Sequence, residues 1–378
     1  MNAIPRLMTL LSAAVLLSTA SAQTAEQTAV LNVARNVNDY FMAKYEDPTA
    51  PTTVKKVRPS SLWTRAVYYE GLLALYGIDN DDRYIDYTDR WAEFHKWTPR
   101  NGTGTRDADD QCCAQAYIER FVMTGDSAMI APTRDNLDGQ MAEGRVDYWT
   151  WIDAIQMAMP VYAKMYAVTG ERDYLDRAME MYRWSRDVCG GGLLNTKEGL
   201  WWRDADYVPP YKEKDGANCY WSRGNGWVLA ALVRVMEQLP EKDKAYKELK
   251  KDFILMCGSI AACQREDGFW NVSLMSPSTY GGKETTGTSL FVYGICWGIR
   301  KGYLKESAFL PVVQKAWNAM VNDAVHNDGF IGYVQGTGKD PSAGQPVTYN
   351  KVPDFDDYGV GCFLLAASEY YKLLGETK

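Results

Sequence analysis

Trp63-Thr-Arg-Ala-Val-Tyr-Tyr-Glu-Gly-Leu-Leu-Ala-Leu75 carries apolar side chains nearly all the way round a helical wheel. A helix of that kind expects protein on every side. Ser60-Ser61 precede it as expected caps, and Tyr76-Gly77-Ile-Asp79 stops it. The next stretch, Asp81 to Lys96, keeps the helical period but has one wet face. A doubly buried helix beside a half-exposed one is the unit from which the fold is read.

The unit recurs along the chain. Asp110–Met123 is apolar and broken at Thr124-Gly125-Asp126, and Met129–Ala142 is more polar. Trp151–Val168 is apolar and broken at Thr169-Gly170, and Tyr174–Val188 is amphipathic. Gly226–Leu239 and Tyr246–Ala262 repeat the contrast, as do Ser289–Arg300 and Ala308–Val325. A first helix over Thr24–Tyr45 and a last over Tyr358–Leu374 complete twelve, in six pairs. Alternating buried and half-exposed helices describe two concentric rings, an all-α (α/α)6 barrel forming one domain over residues 23–378. A stacked solenoid is the other repeat architecture. The closed barrel is preferred because six pairs close a toroid and the inner members are so hydrophobic.

Long connections also repeat, each before an inner helix: Thr98–Asp109, Glu143–Trp149, Gly190–Tyr220, Gln264–Glu284 and Asn327–Phe355. Loops that lengthen at one end of a scaffold commonly carry function. If the inner helices start at that end, Asp110, Asp153 and Arg223 all sit at the barrel mouth.

The bulk properties narrow the classes. The 378 residues are 46% hydrophobic, ample for a large core. A net charge of −7 with no basic stripe argues against nucleic acid as a partner. Arg6, the apolar run Leu7–Leu17 and the small-x-small site Ala20-Ser21-Ala22 read as a secretory signal over residues 1–22. The mature protein is therefore expected to be exported, periplasmic or extracellular, and not membrane-bound after cleavage near Ala22. Eight cysteines are sparse for a disulfide scaffold, and most are expected as buried free thiols. The only histidines, His95 and His326, are far apart, so neither a zinc site nor a Ser-His pair is expected. No metal or cofactor is implied.

Two segments carry candidate chemistry. Trp149-Thr-Trp151-Ile-Asp153 opens an inner helix, with Gln156, Met157 and Pro160 sharing the face of Asp153. Desolvation among indoles and methionines favours a protonated carboxyl, suited to a general acid. A helix N-terminus pulls the other way. Trp221-Ser-Arg223-Gly-Asn225-Gly-Trp227 offers a guanidinium fork, indole faces and backbone N–H groups at a helix entrance. That suits an anionic ring such as a uronate, or else a glycine-containing turn whose tryptophans pack into the core. Asp107-Ala-Asp109-Asp110 opens another inner helix. At least one of these aspartates is a cap, and Asp110 is the favoured second carboxylate. Trp202, Arg203 and Glu284, from the long loops, join Trp151, Trp221, Arg223, Asn225 and Trp227 as candidate sugar contacts. Asp354, Asp356 and Asp357 read as caps before ligands.

Trp221-x-Arg223-Gly-Asn-Gly-Trp227, Trp151-x-Asp153-x-x-x-Met157-x-x-Pro160, Glu284-Thr-x-Gly-Thr288 and Asp357-Tyr-Gly-x-Gly361 together resemble glycoside hydrolase family 105, related to family 88. The resemblance spans about residues 25–376. It implies an (α/α)6 barrel acting on anionic oligosaccharides that end in a 4,5-unsaturated uronate. It further implies that the enol ether is hydrated, with Asp153 giving a proton to carbon 4 and helping activate water for carbon 5. Asp110 resembles the second aspartate of the family, Arg223 would bind the uronate, and Trp221 and Trp227 would wall the ring. Arg203 and Gln111 stand where many members carry histidine. Another (α/α)6 carbohydrate enzyme, a hydrolase of saturated uronides or a lyase, and a non-catalytic sugar-binding protein are the alternatives.

Overall fold

The computed structural model describes residues 23–53 and 57–376; the expected signal segment lies outside them. Twelve long helices and two single turns account for most of these residues. Six inner elements are α2 (Trp63–Asp79), the turn α4 (Ala108–Gln111) continued by α5 (Ala114–Thr124), α7 (Asp153–Thr169), α9 (Ser222–Met236), α12 (Thr285–Arg300) and α14 (Asp357–Glu376). Each packs on the next, and α14 returns to α2, so the ring closes. Outer helices are α1 (Ala25–Lys44), α3 (Asp82–Phe94), α6 (Ala131–Ala142), α8 (Arg172–Asp187), α10 (Lys244–Ala262) and α13 (Glu306–Asp323). The short turn α11 (Pro277–Tyr280) lies in a loop. Two hairpins, β1 (Thr52–Thr53) with β2 (Val57–Arg58) and β3 (Leu194–Asn195) with β4 (Leu200–Trp201), are the paired strands among the described residues. This is the (α/α)6 barrel that the alternation predicts.

Burial follows the pattern. Every residue of α9 is buried, as is α12 from Thr285 to Ile299. By contrast α8 buries one stripe, including Tyr174, Leu175, Ala178 and Tyr182. The tightest crossing joins α2 to α14. A Cβ on Gly361 would lie 2.2 Å from the Val67 carbonyl oxygen, and one on Gly71 would lie 2.4 Å from that of Gly361. Only glycine allows backbones that close.

Boundaries differ from expectation where caps are concerned. Leu62, not a serine, precedes α2. Ser60 instead donates to the Thr49 carbonyl and meets His95 Nε2 at 2.8 Å. The expected Asp110–Met123 helix is interrupted at Cys112-Cys113. Helix α9 begins at Ser222, so Gly224 and Gly226 lie within it. They serve packing: a Cβ on Gly226 would meet Leu290 at 2.8 Å, and one on Gly224 would meet the Trp221 ring at 2.9 Å. All eight cysteines are free, and seven are buried. No helix of the described residues is long and apolar enough to cross a membrane.

The long loops interlock over the starts of the inner helices. Trp151 bridges to Asp204, and the Ile152 N–H donates to the Arg203 carbonyl at 2.9 Å. Trp221 bridges to Ser273, and the Thr285 N–H donates to the Tyr333 carbonyl at 2.9 Å. These backbone bonds set the loops at fixed heights over the barrel mouth.

Candidate active site

A cleft of about 140 Å³ opens at this mouth, lined by Trp63, Asp109, Trp151, Asp153, Met157, Arg203, Thr337 and Gly338. Three helix starts, those of α2, α4 and α7, and two loops supply it. Asp153 is the first residue of α7 and is 8% exposed. Its backbone N–H needs no helical acceptor there, and the positive end of the helix faces its carboxylate. Arg203 reaches across to it, with Nε donating to Asp153 Oδ2 at 3.2 Å. Arg203 Nη1 donates to Asp204 Oδ2 at 2.7 Å, and the guanidinium lies 6.0 Å from the centre of the Trp151 ring. Both environments weighed for Asp153 are thus present, with an arginine added.

Asp109 is the second carboxyl of the cleft. Asp107 accepts from the Asp109 N–H at 2.9 Å and caps α4, which turns the Asp109 side chain inward. Burial first, and then the neighbouring charges of Asp107 and Asp153 working against Arg203, together push the Asp109 carboxyl up to about 8. It therefore holds a proton near neutral pH.

The favoured Asp110 lies elsewhere, and this corrects the expectation. Its carboxylate accepts from Arg100 Nη1 and Asn101 Nδ2, each at 2.9 Å, and from the Thr105 hydroxyl at 2.6 Å. It ties down the loop before α4. Gln111 is also turned away, donating to Asn136 and Gln140.

The Trp221–Trp227 segment is core, not cleft. Arg223 is 1% exposed and spends its fork on two carbonyls, those of Gln335 and Gly336, each at 2.9 Å. Its guanidinium is stacked between Trp221 and Tyr358, at 4.5 and 5.1 Å from the ring centres. Trp221 Nε1 donates to Gln335 Oε1 at 2.8 Å. Asn225 exchanges hydrogen bonds with Trp201, accepting from its N–H at 2.8 Å and donating to its carbonyl at 3.0 Å. Trp227 is fully buried, edge-on to Trp63. The anion-cradle reading fails here because no face of this segment is open. What the segment does is hold residues 335–338, so that Thr337 and Gly338 reach the cleft.

Glu284 and Trp202 are likewise structural. Glu284 is fully buried and caps α12, accepting from the N–H groups of Thr286 at 3.0 Å and Gly287 at 2.7 Å. Trp202 packs against Tyr220, with ring centres 5.7 Å apart. Asp356 and Asp357 do not act as simple caps: Asp357 pairs with the buried Arg65 at 3.3 Å, and Asp356 with Lys44.

Of the candidates, Asp153, Trp151 and Arg203 line the cleft. Trp63, Thr337 and Gly338 were missed. Trp63 starts an inner helix at the same end as Asp153, so the placement of inner helix starts at the mouth carries its signal. Thr337-Gly338 lies inside the long loop Asn327–Phe355 and has no local signature. Among the described residues, no group of three or more His, Cys, Asp or Glu is placed to hold a metal ion.

Known proteins resemble the chain over most of its length. An unsaturated 3S-rhamnoglycuronyl hydrolase of Formosa agariphila is 30% identical over 336 residues, covering 82% of this chain and 84% of that protein. A solved structure described as a family 88 glycosyl hydrolase from Bacteroides vulgatus superposes with a TM-score of 0.84 at 33% identity, covering 92% of this chain and 99% of the other. Another, described as a polysaccharide lyase, gives 0.85 at 32% identity, covering 94% and 99%. Likeness of fold extends to solved structures described as possible family 105 members, with TM-scores of 0.70 and 0.73 at 20% and 22% identity. The family model for Glycosyl Hydrolase Family 88 matches residues 33–374, and the chain belongs to that family of glycoside hydrolases.

Proposed function

We propose that the protein is an exported hydrolase that removes a terminal 4,5-unsaturated uronate from oligosaccharides left by polysaccharide lyases. Residues 1–22 are its signal and residues 23–378 its single barrel domain. The observation that carries the reading is one cleft holding two carboxyls of different character, Asp109 and Asp153, with a guanidinium and two indoles. The family membership and the naming of a relative as an unsaturated rhamnoglycuronyl hydrolase support the substrate class.

In this reading Trp63 and Trp151 face the sugar ring, and Arg203 meets the uronate carboxylate. Once Arg203 pairs with the substrate, Asp153 is freed to carry a proton to carbon 4. Its carboxylate then takes a proton from the water that adds at carbon 5, so one group serves as acid and base in turn. The resulting hemiketal opens and releases the next sugar. Asp109, which holds a proton near neutral pH, stands beside it as the second carboxyl in place of Asp110.

The reaction destroys the conjugated enol ether, so ultraviolet absorbance reports it. Wild type offered lyase-generated fragments of pectic, glycosaminoglycan or ulvan type should bleach at least one class, and Asp153→Asn should lower kcat by about 10²–10⁴. Unchanged absorbance on all of them sinks the proposal. The likeness to a polysaccharide lyase favours a second reading, in which the same carboxyls act on an intact polyuronide. That reaction makes the double bond, so absorbance would rise. A sugar-binding protein would change it in neither direction.

A further inference from the structure

Beneath the cleft, three inner helices converge on one side chain. Glu70 lies on α2 two turns below Trp63, which lines the cleft. Its Oε2 accepts from Gln156 Nε2 at 2.9 Å, and its Oε1 accepts from the Cys112 thiol at 3.4 Å. Gln156 follows Asp153 by three residues on α7. Cys112 follows Asp109 by three, and its backbone keeps helical angles where α4 ends, with φ −54° and ψ −40°. Residues three apart on a helix share a face, one turn apart. Each cleft carboxyl therefore has, one turn below it, a side chain that donates to the same carboxylate.

Packing does not account for this arrangement. On its other side Glu70 lines a pit of about 150 Å³ at the far end of the barrel, bounded by Lys372 and by Glu237, which follows the last residue of α9. Side-chain bonds, not close contact all round, hold Glu70 against the two helices. Stability does not account for it either. A buried carboxyl is expensive, and an apolar side chain of similar size commonly costs less at such a place. A group that costs stability and sits directly under an active site is accounted for by what it does there.

We propose that Glu70 is a positioning residue: it sets α7 and the α4 turn against α2, and so fixes how Asp153 and Asp109 stand to one another and to Trp63. It touches no substrate and acts only through Gln156 and Cys112. The inference rests on the reading of the cleft as the place where the enol ether is protonated and hydrated.

The test compares variants of the full mature chain on the unsaturated fragment that wild type bleaches. Glu70→Leu removes both ties and should lower kcat by about 10², with KM changed by no more than about threefold, because misplacing a reacting group by about 1 Å costs that much. Glu70→Gln keeps one acceptor oxygen of two, and its kcat should fall between those of Glu70→Leu and wild type. Cys112→Ala and Gln156→Leu leave the Glu70 carboxyl in place and cut one tie each, and each should lower kcat by about tenfold. Glu119→Gln breaks the ion pairs with Lys164 and Arg234 in the same axial network. It cuts neither tie and should keep the wild-type kcat. Thermal midpoints are measured beside the assays, and kcat is referred to the folded fraction.

A second readout needs no turnover. In enzyme labelled with carbon-13 at the aspartate carboxyls, the Asp109 resonance is identified by its loss in Asp109→Asn, and in wild type it titrates at about 8. Its midpoint should move in Glu70→Leu and in Cys112→Ala, and stay in Glu119→Gln. Wild-type kcat or an unmoved Asp109 midpoint in Glu70→Leu overturns the proposal, as does an equal loss in Glu119→Gln or a loss confined to KM. Failure of the cleft reading looks different: wild type bleaches no fragment, and the Asp109 midpoint alone then decides.

Discussion

Asp109 and Asp110 are neighbours with opposite fates. Successive helical residues point about 100° apart, so one carboxylate meets the cleft and the other meets the loop. Asp109 has its proton affinity raised, which makes the sign of its contribution to stability definite. The folded protein keeps a proton that the unfolded chain gives up near pH 4, so stability falls as pH rises from about 4 to about 8 and levels beyond. Asp109→Asn should remove that slope. In urea unfolding it should match wild type near pH 4 and exceed it by on the order of a few kcal/mol near pH 9. A slope unchanged by the substitution would mean that Asp109 is not desolvated. Arg223 gives a second prediction. Arg223→Ala strands the carbonyls of Gln335 and Gly336 and should cost about 2–4 kcal/mol of stability in thermal or urea unfolding. A variant of full stability with only KM raised would restore the role of a uronate ligand.

Among the helices, the closest approach decides what can be substituted. Gly361 of α14 touches the backbone of α2, so Gly361→Ala forces the two inner helices apart. Overpacking of this kind costs about 1–3 kcal/mol or more, since the obstructing atoms are backbone. Gly77 on the same α2 is exposed and meets nothing within 4 Å. There the alanine should stabilise, by about 0.5–1 kcal/mol, because glycine is a poor helix former. Circular-dichroism melts of the two variants should therefore shift in opposite directions. A shift of the same sign in both would mean that the crossing is looser than the backbone distances indicate.

Across the whole molecule, the barrel axis is not dry hydrocarbon. Glu70, at 1% exposure, accepts from Gln156 at 2.9 Å and lies 3.5 Å from Arg234, which in turn reaches Glu119 at 3.0 Å. Glu119 also pairs with Lys164 at 2.6 Å. Burial raises Glu70 to about 7 despite Arg234, with Glu119 adding repulsion. The folded state therefore retains a proton there that the unfolded chain loses above about pH 4.5, and stability declines toward pH 7. Glu70→Gln should flatten this window, recovering about 3 kcal/mol at pH 8 relative to pH 4. Unfolding curves at several pH values give the difference directly. A wild-type slope that persists in Glu70→Gln would assign it to other carboxyls.

The sequence by itself determined the helices, their alternation of buried and half-exposed faces, and so the closed double ring. Hydrophobic periodicity is local, and a helix apolar on all sides has few places to go. It also placed Asp153 at the mouth, where the cleft opens, because an acid at the start of such a helix must lie at the mouth or be paired. Only the tertiary structure decided which aspartate of the Asp107–Asp110 turn enters the cleft, since that depends on where Arg100, Asn101 and Thr105 sit. It alone showed that Arg223 and its tryptophans support the site instead of lining it. Their partners, Gln335 and Gly336, lie more than 100 residues further along the chain, and no local pattern records where a fork of hydrogen-bond donors will find its acceptors.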